Sequence, residues 1–301
     1  MEAVIRYLKK VDPKALKTAI EAYRCFEPYG KSVEDYARAI AFVPESCEDE
    51  VIDMLIELHK ANQYKSDGLT SREAYFNAEQ NAIVAKNAEL YYRKMIQGGT
   101  ATWNIRDTHM MDTLIRLMEF HGKQAKSIVW AHNTHIGDAK YTDMAEAKMV
   151  NIGQLVREHA GDKNAALLGF GTHSGTVIAA KEWGEKMERM HIPPAVNGSW
   201  DAMIHEFSKG KNRLLLFGDN AEESITRKLP AEETRNKRRG QRAIGVVYNP
   251  EYERFGNYVP TLLTRRYDAF LYIDKTHALH PLHMQEVKED EDLPETFPTG
   301  L

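Results

Sequence analysis

The sequence predicts an α/β protein, with helices on both faces of a sheet and a large helical region before it. Three observations carry that expectation. Residues 1 to about 100 contain no convincing period-2 run and are punctuated by Pro13, Pro28, Gly30, Pro44 and Gly68. Beyond them, five short apolar runs (127–131, 165–170, 213–217, 243–248 and 269–273) are bounded by polar residues or glycine, the pattern of strands buried on both faces. Between the runs lie helical stretches opened by capping residues, and strands alternating with helices define the α/β class.

Taken in order, the first helix with a clear face is 82–95, where Val84, Ala88, Tyr91 and Met95 recur at steps of three or four and Gly98-Gly99 follow as a stop. That stripe reads as core packing. A helix over 102–120 places Met110, Leu114, Leu117 and Met118 on one side, with Gly122 after its end. Helices over 151–159 and 199–207 start at Asn151 and Ser199, both good N-caps. The chain of 301 residues is 43% hydrophobic, enough for a packed core. It is read as a single domain over 1–301, with a helical region 1–100, an α/β region 101–285 and a loose acidic tail 286–301.

A formal charge of −4 supplies no positive field for nucleic acid or an anionic membrane. No segment nears the roughly 20 apolar residues that cross a bilayer, and Met1 to Arg6 lack the apolar core of a signal peptide. Cys25 and Cys47 are too few for a disulfide framework and have no C-x-x-C spacing, so they are expected as buried thiols in a reducing, cytoplasmic setting.

The candidate chemistry starts where the run 127–131 ends in His132-Asn133-Thr134-His135, with Asp138 close behind. Two imidazoles three residues apart past a strand end can move protons near neutral pH, and ligands gather at the carboxyl ends of strands in such sheets. His132 and His135 are therefore the catalytic candidates. Asn133 can orient a ring or donate to an oxyanion, and Asp138 can fix a tautomer. Zinc on His132 and His135 is the alternative, with Asp138, Asp143 or Glu146 adding an oxygen, but no H-E-x-x-H helix or cysteine pair supports it, so no metal or other cofactor is expected.

Arg106, Asp107 and His109 precede an apolar helical stripe, where the arginine fork can grip an oxyanion; a surface ion pair fits the same spacing. The segment Gly171-Thr172-His173-Ser174-Gly175 follows a strand and offers His173 as a substrate-lining residue, although it is not the G-x-S-x-G elbow. The cationic run 235–242 reads as a solvated loop. His277, His280 and His283 admit a metal, but Leu279 and Leu282 point to chain packing.

With these residues in view, the chain resembles the erythromycin esterase family, in the branch whose members are sometimes fused to a phosphoribosyltransferase domain. The likeness rests on Trp103-Asn104-Ile105-Arg106-Asp107, on Trp130 to Asp138, on Asn151 to Arg157, on Arg242 to Tyr248, on Asn257 to Pro260 and on Arg266 to Phe270. The resemblance implies an α/β fold with a cleft between a sheet-based part and a helical part. It also implies hydrolysis of a macrolide lactone or other small-molecule ester, with a role in antibiotic response, and matches His132 and His135 to the family's paired histidines. The family's Gly-Glu-x-x-His-Gly segment, which bears its proposed water-activating histidine, has no counterpart here, so the chain is read as an N-terminally short member. Activity is then in question, a non-catalytic ligand- or partner-binding role is the alternative, and self-association or a partner chain is expected over the missing strands.

Overall fold

The computed structural model describes residues 1–29, 36, 39, 46–62, 69–95, 98–217 and 237–280. Gly30, Pro44, Gly68, Arg235, Asn236, His283 and the tail 286–301 lie outside the described residues. The chain divides into two compact units, Met1–Arg116 and Leu117–Leu301.

The first unit is helical: α1 (Glu2–Val11), α2 (Pro13–Tyr23), α3 (Glu48–Asn62), α4 (Leu69–Met95) and α5 (Ala101–His121), whose last residues enter the second unit. Asp12 starts α2 by accepting from the backbone N–H groups of Lys14 and Ala15 at 3.0 and 3.1 Å, and Pro13 has no N–H to leave unpaired. The core joins Val4 and Leu8 of α1, Ala15 and Ala19 of α2, Met54 and Leu58 of α3, and Ala78 and Ala82 of α4. Each wholly buried Leu or Met contributes about 2 kcal/mol.

Two expected faces are turned. On α4 the packed face is Tyr75, Ala78, Ala82 and Ala85, while Val84 is exposed. Alanines let neighbouring helices approach closely, an advantage that a ranking by side-chain size misses. On α5 the buried positions are Thr102, Trp103, Asp107 and Met111, and Leu117 is exposed. The cysteines are also corrected: Cys25 and Cys47 are joined in a disulfide, their Cα atoms 5.8 Å apart, which a separation of 22 residues in sequence could not reveal.

In the second unit, β1 (Leu168–Gly171) pairs parallel with β7 (Ala269–Tyr272), which pairs antiparallel with β4 (Arg213–Leu216). A second sheet has the order β3-β2-β8, with β2 (Ser174–Ala179), β3 (Glu188–Ile192) and β8 (Lys275–Thr276). A third pairs β5 (Arg239–Arg242) with β6 (Tyr258–Thr261). The α/β class therefore stands, spread over three small sheets. Remaining helices are α6 (Asn133–Ile136), α7 (Ile152–Ala160), α8 (Trp200–Ser208), α9 (Glu253–Gly256) and α10 (Leu263–Arg266). Ser199 caps α8 by accepting from the Ala202 N–H at 3.1 Å.

Alternation across the first sheet decides its two faces. Leu215, Phe270 and Tyr272 join Trp200, Ile204, Leu263 and Tyr267 in a core cluster. The opposite register rows carry Leu214 and Leu216, which are 58% and 52% exposed, so β4 is buried on one face instead of two. A continuous apolar run does not reveal which face has a neighbour. The expected strand 127–131 makes no ladder, and Ile128 and Trp130 are 93% and 84% exposed. Its apolar sequence is strand-like, yet no partner strand bonds to it among the described residues. The expected strand 243–248 is displaced too: β5 ends at Arg242, and Val247 forms an isolated bridge to Ala180. No helix among the described residues is long and apolar enough to cross a membrane.

Candidate functional site

Residues 132–138 form a short loop and one helical turn. His132 caps α6 with its own ring: Nδ1 accepts from the Thr134 N–H at 3.3 Å and lies 2.9 Å from the Thr134 hydroxyl. Nε2 lies 2.9 Å from the Ile244 carbonyl oxygen, which can only accept, so Nε2 carries the proton and Nδ1 the lone pair. The ring is thus a neutral imidazole of one tautomer. Its pKa is lowered chiefly by burial, helped by His135 and Arg266 and opposed by the Ile244 carbonyl. As a whole residue His132 is exposed, whereas His135 is buried.

Asn133 bonds to the edge of β1. Its Nδ2 donates to the Phe170 carbonyl at 2.6 Å and its Oδ1 accepts from the Phe170 N–H at 3.0 Å, so one amide satisfies both backbone groups of that residue. Buried Asp138 accepts from the Lys140 N–H at 3.0 Å and pairs with Arg157 at 3.2 Å. The tautomer of His132 is set by Ile244 and Thr134.

Three residues that sequence reasoning did not place at the site hold this loop. Asn151, read only as a cap, does cap α7 through the Gln154 N–H at 2.9 Å. The same side chain also accepts from the Ala139 N–H at 3.3 Å and donates to the carbonyls of Thr134 (2.7 Å) and Gly137. Gly153 lets α7 press on the loop, for a Cβ there would lie 2.3 Å from the Ile136 carbonyl oxygen. Buried Arg266 donates to Gln241 at 3.1 Å, to the Thr261 hydroxyl at 3.0 Å and to the Asn133 carbonyl at 3.0 Å. Its proximity to residue 133 in space has no trace in sequence spacing.

His173 follows β1 as expected. Its ring stacks on His205 of α8 with centroids 3.7 Å apart and planes 15° from parallel. His205 Nδ1 lies 2.6 Å from Asp274 Oδ1, which also accepts from the Tyr272 hydroxyl at 2.7 Å. Burial pushes the Asp274 carboxyl up, but the bonds from His205 and Tyr272 outweigh it and hold the group below the ordinary carboxylate value. The His173 ring is pushed down, first by burial and then by His205 and Arg242.

Beneath this cluster lies a buried ionic network. Arg242 pairs with Glu253 and donates to the carbonyls of Thr172 (3.0 Å), His173 (2.7 Å) and Pro193 (2.9 Å), while Glu253 also accepts from the Tyr248 hydroxyl at 2.8 Å. Fully buried Asp201 accepts from the N–H groups of Thr172 (3.2 Å) and Arg242 (2.8 Å), and burial raises its pKa to about 6 against the pull of those donors. The run 235–242 accordingly splits: Lys237 and Arg238 are exposed, whereas Arg242 is a buried anchor of the His173 turn.

Arg106, Asp107 and His109 belong to the first unit. The Arg106 guanidinium lies 5.8 Å from the Trp103 ring centroid, Asp107 is buried, and His109 Nδ1 is 2.7 Å from Asn87 Nδ2. The His109 pKa is lowered, mainly by burial and then by Arg116. The zinc alternative does not fit: both nitrogens of His132 are engaged, and no group of three or more candidate ligands exists among the described residues. His277 and His280 form no such group, and Leu279 beside them is exposed.

The model of the family described as "Erythromycin esterase" matches residues 1–276. Among solved structures, the chain is similar to a succinoglycan biosynthesis protein, with 22% identity, a TM-score of 0.63, and 91% of this chain and 61% of that one covered. A protein from Bacillus cereus gives 15% identity and a TM-score of 0.66, with 92% and 63% covered. A mutant of the erythromycin esterase EreC in its open conformation gives 13% identity and a TM-score of 0.57, with 91% and 64% covered. This chain therefore spans a little over three fifths of the length of these neighbours, and their likeness at such identities concerns the fold. The match over 276 of 301 residues assigns the chain to the erythromycin esterase family.

Proposed function

We propose that this chain hydrolyses a small-molecule carboxylic ester, with the lactone of a macrolide as the substrate class that its family's name suggests. The observation that carries the reading is the His132 imidazole, held neutral and in one tautomer by Ile244 and Thr134 in a residue that is exposed overall. Its Nε2–H needs only to exchange the Ile244 carbonyl for an ester oxygen to stabilise the charge that develops as water attacks. The experiment is hydrolysis of p-nitrophenyl acetate and ring opening of a macrolide followed by mass spectrometry. His132→Ala is expected to lower kcat/KM by about 10² or more, and an unchanged rate would remove His132 from the reaction.

A role in antibiotic response follows from a macrolide substrate. Cells with and without the gene should then differ in macrolide tolerance, and equal tolerance contradicts that role. Binding without turnover is the second reading, favoured by one observation: both nitrogens of His132 are already engaged and His135 is buried. Saturable macrolide binding with no product formed would select it.

A further inference from the structure

We infer that His205, oriented by Asp274, is the general base that draws a proton from the attacking water. The inference rests on the ester-hydrolysis reading above and supplies what His132 cannot offer as it stands, a free imidazole lone pair. Asp274 is ionised and can only accept, so His205 Nδ1 carries the proton in the 2.6 Å bond and Nε2 carries the lone pair. Nε2 has no hydrogen-bond partner among the described residues, and the side chain is 36% exposed.

The surroundings fix this imidazole from three sides. His173 covers one ring face at 3.7 Å, and the Tyr272 hydroxyl holds the carboxylate at 2.7 Å. The third constraint is the backbone of residue 274, whose N–H donates to Asn212 at 2.9 Å and whose carbonyl accepts from the N–H groups of His173 and Ser174 at 3.1 and 3.2 Å. α8 then ends directly, with Lys209 and Gly210 in the left-handed region and the Gly210 N–H on the His205 carbonyl. Gly210 suits the end of α8 because its φ of +69° is one that side-chain-bearing residues rarely adopt.

A chain of bonds links the His173 turn to the loop already described. Arg242 binds the carbonyls of Thr172 and His173, and two residues further on the Ile244 carbonyl accepts from His132. The step balances without a co-reactant other than water. His205 Nε2 takes one proton from water as its oxygen bonds to the ester carbonyl carbon; the tetrahedral intermediate collapses, the C–O bond to the alcohol breaks, and the proton on Nε2 passes to the leaving alkoxide. The products are a carboxylic acid and an alcohol. The charged and titratable groups facing the dyad are His173, Tyr272 and, through the His173 turn, Arg242.

The test is p-nitrophenyl acetate hydrolysis by the full chain and by His205→Gln, Asp274→Asn and His132→Ala, each checked by circular dichroism. His205→Gln is expected to lower kcat by about 10² to 10⁴ with KM little changed. Asp274→Asn, which leaves the backbone bonds of residue 274 in place, is expected to lower kcat with KM little changed, because an amide no longer holds the proton on His205 Nδ1 and the lone pair on Nε2. If His205→Gln keeps the full rate while His132→Ala abolishes it, this inference fails and the hydrolase reading survives. If the unaltered chain is no faster than free imidazole at the same concentration, both fail. Should His205→Gln not fold, the unaltered chain decides: a normal solvent deuterium isotope effect on kcat supports proton transfer to a base, and its absence overturns the inference.

Discussion

Replacing Asn151 by alanine removes more than a helix cap. The cap itself, the Gln154 N–H at 2.9 Å, is worth about 1 kcal/mol. The same amide satisfies the Ala139 N–H and the carbonyls of Thr134 and Gly137. Stranding three backbone groups in or near the core costs about 1 kcal/mol each at the low end. The expected loss for Asn151→Ala is therefore about 4 kcal/mol, several times an ordinary cap deletion. Asn151→Asp separates the two roles, since a carboxylate keeps the cap but cannot donate to either carbonyl. Urea denaturation read by circular dichroism, with hydrogen exchange at the Ile136 and Gly137 amides, measures both. If Asn151→Asp stayed within about 0.5 kcal/mol of the parent, the side chain would be a cap alone and the clamp on the histidine loop would not exist.

Gly153→Ala should cost about 3 kcal/mol or more in the same assay, because a Cβ would sit 2.3 Å from a backbone oxygen that cannot move without displacing residues 132–137. Arg266→Lys should cost about 2 kcal/mol, since one ammonium cannot reach Gln241, Thr261 and the Asn133 carbonyl together; parental stability would show that the guanidinium fork is dispensable. Asp201 predicts a pH effect of stated sign. Its carboxyl titrates near 6 when folded instead of near 3.8, so the folded state holds the extra proton and ionisation destabilises it. Relative to Asp201→Asn, the parent should lose about 3 kcal/mol as pH rises from about 4 to about 6 and change little above, which thermal melts across that range can contradict.

Local signals carried much of the second unit. Asn151 and Ser199 were legible as caps because a short polar side chain before an apolar helix has one strong use there. The runs at 165–170, 213–217 and 269–273 were legible as strands because their apolar, branched and aromatic residues stop at polar or glycine borders. The same logic misplaced 127–131 and 243–248, since a strand also needs a neighbour, and a neighbour is not a local property. The faces of α4 and α5 turned for a related reason: apolar spacing marks several candidate stripes, and the partner helix chooses among them.

The site divides along the same line. Sequence alone determined that imidazoles and a carboxylate gather after residue 131 and that His173 follows a strand, because composition and order are local facts. Only the tertiary structure decided that the nitrogens of His132 are taken by Ile244 and Thr134, that Asn133 binds Phe170, and that His205 meets Asp274 across 69 residues. Hydrogen bonds between distant segments depend on where the backbone brings them, and the positions of donors and lone pairs in space leave no periodic mark along the chain.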